Sequence, residues 1–189
     1  MSEKWQSNVT DFSNIDKEKA LFLFNQGEKE LQATINLSNF IQDKSLKILA
    51  SLITLLTLVS SGLIGVFYSS SIEIKPIVFT TLLIFSLFLI VAIYKCKRIL
   101  SLRKYQFLGN QPKNLWLKDW INQKIEILIM TESESYQSGI TNNRICNEER
   151  AKLMMDVINI AFYAPIISFG FWLLLTIFFQ ITNFNCVSH

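Results

Sequence analysis

Three stretches without a charged residue dominate the pattern of the chain: Ile48 to Tyr68, Ile77 to Tyr94 and Val157 to Ile181. Each is long enough to cross a hydrocarbon core of about 30 Å as a helix. Only helices or closed barrels satisfy their backbone in lipid, and no strand-like alternation of useful length occurs. The pattern therefore predicts an all-α, integral membrane helical protein with a transmembrane hairpin over 48–94, a third transmembrane helix over 157–181 and long amphipathic cytoplasmic helices.

Ahead of the first span, residues 1–15 carry no sustained period. From Asp16 onward Ala20, Leu23, Phe24, Gly27, Leu31, Ile35, Ser38 and Ile41 recur at helical spacing, with Glu28, Lys29, Glu30, Gln32 and Asp43 mostly off the stripe. No proline or turn cluster separates Asp16 from Tyr68, so this helix is expected to run into the span as one rod of about 80 Å at 1.5 Å per residue. Ser69, Ser70, Ser71 and Pro76 punctuate the return.

Within the middle segment, 95–156, the Gly109, Asn110, Gln111, Pro112 cluster is the clearest break. Leu117, Trp120, Ile121, Ile125 and Leu128 then form an apolar stripe. It suits either the membrane surface, with Trp116 and Trp120 at the interface, or the Ala20 to Ile41 stripe. Gly139 marks an expected interruption. Tyr136, Ile140, Asn143, Asn147, Arg150 and Met154 follow one another at steps of three or four, a helix face whose middle is polar.

Charge sets the expected topology. Lys44 and Lys47 precede the first span, and Lys95, Lys97, Arg98, Arg103 and Lys104 form a membrane-orienting cluster after the second, whereas the loop between them holds only Glu73 and Lys75. Positive residues stay inside, so the N-terminal segment 1–47 and segment 95–156 are expected in the cytoplasm and the tail 182–189 outside. The first apolar run lies too far along the chain for a cleaved signal, and is expected to persist in the mature protein. A net charge of +3 is too mild and too dispersed for a nucleic-acid binder. Cys96, Cys146 and Cys186 are divided between compartments by this topology and imply no disulfide framework.

Candidate chemistry is sparse. The one histidine, His189, is terminal, the six glycines build no phosphate loop, and Glu126, Glu132, Glu134, Glu148 and Glu149 are scattered over several helix faces. No catalytic, cofactor-binding or metal-ligating residue is assigned, no cofactor is expected, and the chain reads as a non-enzyme. No span carries a charge, against ion-coupled transport. Two constellations remain. Thr57, Ser61, Gly65 and Ser69 fall four apart, a small-residue stripe for close helix packing, either by the second span or by another copy of the chain. Asn143, Asn147 and Arg150 share one face near the inner membrane surface. They are candidates for a regulatory contact with an anion, a lipid phosphate or a nucleotide; alternatively, the asparagines bond a neighbouring helix while Arg150 snorkels to the headgroups.

A helix ending in Asp43-Lys44-Ser45-Leu46-Lys47, an apolar hairpin, the basic exit Lys95-Cys96-Lys97-Arg98 and a following amphipathic helix together resemble, over Asp16 to Leu128, the SLATT-type and Pycsar-type small transmembrane effectors of bacterial anti-phage nucleotide-signalling systems. The third span is an addition to their two-span layout. The resemblance implies a homo-oligomer in the bacterial inner membrane that perturbs or permeabilises the bilayer on a cytoplasmic nucleotide signal. The competing expectation is a passive anchor or adaptor that presents its cytoplasmic helices to a soluble partner.

Overall fold

The computed structural model describes Phe12 and residues 15–68, 75–101, 105–109 and 122–187, with side chains for all but 75 and 182–187. Among these residues the chain is all-helical, with no strand: α1 spans Lys17–Tyr68, α2 Lys75–Leu100 and α3 Ile125–Val187. All three helices are long and apolar enough to cross a membrane.

Helix α1 runs unbroken for 52 residues, as the lack of an internal breaker requires. Its first turn closes with the Ala20 amide donating to the Asp16 carbonyl at 2.9 Å. Helix α3 runs for 63 residues through both Gly139 and Pro165. The interruption expected at Gly139 does not occur. A mid-helix glycine weakens a helix by only about 1 kcal/mol, and here it has a packing reason: a Cβ at 139 would stand 2.8 Å from the Gln106 side chain. Pro165 removes one amide without ending the helix, a loss that spanning helices tolerate where other groups or local adjustments satisfy the freed carbonyl.

The buried side chains described on α1 are Ala20, Leu31, Thr34, Ser38, Ile41, Ser45, Leu52 and Val59; those on α3 are Tyr136, Ile140, Asn143, Asn147, Arg150, Val157, Ala164 and Ser168. All fall on alternating steps of three and four, the 3.5-residue repeat that keeps one seam of a helix turned to its partner. Of the α1 stripe read from the sequence, Phe24, Gly27 and Ile35 are half-buried on the same seam, and Leu23 alone stays exposed, at 45%.

The chain divides into two compact units, Met1–Ile41 with Leu102–Arg150, and Gln42–Ser101 with Ala151–His189. In the first, α1 and α3 lie side by side and parallel: Gly27 meets Tyr136, Thr34 meets Asn143 and Ser38 meets Arg150, contacts that advance together along both helices. Leu31, Tyr136 and Ile140 form its apolar cluster, with Phe24, Ile35 and Leu108 packed against them. Burying side chains of this size contributes about 1.5–3 kcal/mol each.

In the second unit α1 and α2 form an antiparallel hairpin. Ser45 lies against Cys96, whose thiol donates to the Ser45 carbonyl at 3.2 Å, and Gly62 lies near Leu82. Helix α2 is tied to α3 by Lys95 and Asp156, 2.7 Å apart. The most apolar windows of the three helices are only 11%, 22% and 11% buried, so most of their large side chains face outward. Leu58, Ile64, Phe67, Leu87, Phe162 and Leu174 are among those exposed.

Candidate functional site

The polar middle of the α3 face becomes a buried seam in the first unit. Asn143, Asn147 and Arg150 are 0%, 3% and 3% exposed. The Asn143 amide donates to Thr34 Oγ1 at 3.1 Å and to the Gln106 carbonyl at 3.0 Å, while its Oδ1 accepts from the Gln106 amide at 3.1 Å. Thr34 Oγ1 in turn donates to the Leu31 carbonyl at 2.7 Å. Asn147 donates to the Thr34 carbonyl at 2.8 Å, and its Oδ1 accepts from Tyr105 OH at 3.1 Å.

Arg150 Nη1 reaches Ser38 Oγ and Tyr105 OH, each at 2.8 Å, and the guanidinium carbon lies 5.7 Å from the centre of the Tyr105 ring. The guanidinium is turned toward Ser38 and Tyr105. The asparagines do bond the neighbouring helix, and they bond a segment between α2 and α3 as well. Buried amides and cations cost free energy unless their groups are matched, and here Asn143 uses its oxygen and both amide hydrogens. Polar residues at seam positions fix register at some cost in stability, because any slip leaves them unmatched.

That second partner is Tyr105 to Gly109. Gln106 lies over Gly139, its side-chain amide donating to the Ser135 carbonyl at 3.2 Å and to Ser135 Oγ at 3.1 Å. The Gly109 amide donates to Tyr136 OH at 3.2 Å, and φ of Gly109 is +80°, a value that glycine adopts without strain. Burial pushes the Tyr136 phenol above its ordinary pKa, helped by the carboxylates of Glu132 and Glu28 and opposed by the Gly109 amide. Arg144 and Glu30 add an exposed ion pair between the same helices. The segment was missed in the sequence because its partners lie 27 to 45 positions away.

The small-residue stripe has a different setting. Thr57 and Ser61 are exposed, their hydroxyls donating back to Ile53 and Thr57 carbonyls at 3.0 and 2.9 Å, and a Cβ at Gly65 would meet nothing within 4 Å. Ser69 lies outside the described residues. Helix α1 meets α2 instead at Gly62, near Leu82, and at Ser45, against Cys96. Of the basic cluster, Lys95 is half-buried in its ion pair with Asp156, Lys97 and Arg98 are exposed, and Arg103 and Lys104 lie outside the described residues, as do Trp116, Leu117, Trp120 and Ile121.

Among the described residues no three His, Cys, Asp or Glu side chains gather where they would hold a metal ion. No protein-family model, curated protein or solved structure matches the chain.

Proposed function

We propose that the chain is a three-span protein of the bacterial inner membrane, with its N-terminus and first unit cytoplasmic and its C-terminus outside, acting as an oligomeric, membrane-perturbing or pore-forming effector. The observation that carries this reading is the exposed hydroxyl and glycine face of α1 within an apolar helix, with open space beside Gly65. Lipid offers such a face little packing, whereas another helix backbone approaches it closely. The interior of the second unit is packed with Leu52, Val59, Leu89, Ala92, Val157 and Ala164, so conduction would arise between copies rather than through one. The distribution of Lys and Arg around the apolar stretches supports the orientation. The cytoplasmic unit governs the assembly, since α1 and α3 continue from the hydrogen-bonded seam into the apolar windows. Control by a nucleotide signal is carried over from the resemblance to the SLATT-type and Pycsar-type effectors.

Induced expression in bacteria, followed with a potential-sensitive dye, is expected to depolarise the cells, and Gly65→Leu is expected to prevent it. Unchanged potential at high expression of a correctly inserted chain would count against the effector. A second reading, an anchor for a soluble partner, is favoured by one observation. Phe22, Leu37 and Phe40 are 61%, 49% and 54% exposed on the part of α1 that lies before the apolar stretch. Under it, purification from detergent recovers a stoichiometric soluble protein and Phe40→Ser loses it.

A further inference from the structure

The Tyr105 to Gly109 segment is held as a bound peptide is held. Asn143 pairs through one amide group with both the N–H and the C=O of Gln106, a contact that reads backbone and not side chain. Leu108 packs against the cluster of Leu31, Tyr136 and Ile140, and Tyr105 is gripped by Asn147 and Arg150. An apolar anchor beside a backbone clamp is the usual way an extended segment is recognised. Phe107 stands 68% exposed and contributes little to the hold.

The two helices also contact each other directly. Leu31 with Ile140, Thr34 with Asn143 and Asn147, Ser38 with Arg150, and Glu30 with Arg144 join α1 to α3 directly. A groove whose walls hold each other outlasts its occupant. Departure of the segment would free Asn143 Oδ1, Asn147 Oδ1 and Tyr136 OH, polar groups set along one face of α3 and open to water or to another backbone. Such local opening, with the rest of the fold intact, is how many proteins expose a binding surface.

We propose that residues 105–109 are a detachable latch, bound in cis in a groove of the first unit that accepts a short peptide with a hydroxyl-bearing aromatic, a backbone clamped one residue on, and a leucine three residues on. Release of the latch empties the groove and frees the chain that follows α2. This deepens the reading of the first unit as the controlling one, and its readouts involve no membrane potential, so its failure is separate from failure of the effector.

The test uses the full chain in detergent, with Tyr105→Gly, Gln106→Ser, Phe107→Gly and Leu108→Ser combined, and a fluorescent synthetic peptide of residues 104–110. The latch-free chain is expected to bind the peptide saturably, at least tenfold more tightly than the unaltered chain, whose groove is filled; adding Asn143→Ala should abolish binding. No binding by a helical latch-free chain, or equal binding by both, overturns the proposal. Loss of helicity on removing the latch also overturns it, by making the segment part of the core. On the unaltered chain, hydrogen exchange gives an independent reading: the Gln106 amide should exchange at least tenfold faster than the amides of Leu31 and Ile140, and equal protection contradicts a latch.

Discussion

Among the described residues the first unit buries five polar side chains, Thr34, Ser38, Asn143, Asn147 and Arg150, and each is hydrogen-bonded. The second buries two serines, Ser45 and Ser168, whose hydroxyls have no partner. The same helices thus follow two packing rules. Where the seam is polar, matched amides select one register, and stability depends on completing every bond. Where it is apolar, small residues allow close approach, and an unmatched hydroxyl is a standing cost of about 1–3 kcal/mol.

The contrast is broken most severely at the apolar floor of the first unit. Leu31→Ala should cost about 2–5 kcal/mol, as large-to-small changes at fully buried sites do, seen as a lower denaturant midpoint in micelles. Asn143→Ala leaves the N–H and C=O of half-buried Gln106 without this partner, for a loss of about 1–3 kcal/mol in all. If Asn143→Leu proves as stable as the parent, the seam is not held by its hydrogen bonds.

In the second unit the two glycine faces should behave differently. A Cβ at Gly62 already lies 3.5 Å from Leu82, so Gly62→Leu is expected to destabilise the hairpin by about 1–3 kcal/mol. Gly65→Leu should leave the stability of an isolated chain unchanged and lower the mass of the detergent-solubilised complex, read by light scattering. Equal effects of the two substitutions would erase the distinction between faces. Ser168→Ala removes an orphaned hydroxyl and should be neutral or stabilising by about 1 kcal/mol, opposite in sign to Ser38→Ala, which takes an acceptor from Arg150.

The smallest effect concerns pH. The Tyr136 phenol, raised above its ordinary 10.0, favours the folded state fully while the unfolded phenol remains protonated. That contribution is lost as pH rises from about 10 through the folded value, so stability should fall there. Tyr136→Phe should flatten this part of the profile when unfolding is followed by circular dichroism.

Much of the helix plan was readable in advance because charge-free length and seam spacing are local properties. Of the Tyr136, Ile140, Asn143, Asn147, Arg150, Met154 face, the first five are buried and Met154 is half-buried, and steps of three and four are enough to find it. What fills the polar middle was not readable. Asn143 lies 37 positions from Gln106 and 109 from Thr34, and no periodicity connects them. Gly139 carried the wrong signal for a related reason: a glycine that makes room for a crossing side chain looks, in sequence, like one that ends a helix. Thr57, Ser61 and Gly65 were recognisable as small, but that α1 meets α2 at Gly62 and Ser45 depends on Leu82 and Cys96, which lie 20 and 51 positions further on.

The shared seam spacing also places α1 under a counting rule. Its buried positions keep a single phase from Ala20 to Val59 with no loop to absorb an error. One residue added near Ile41 would turn everything beyond it by about 100°, whereas seven would restore the phase to within about 20°. Length variants of this helix should therefore keep their packing in whole heptads and lose it at intermediate sizes, so the helix counts its residues as well as choosing them.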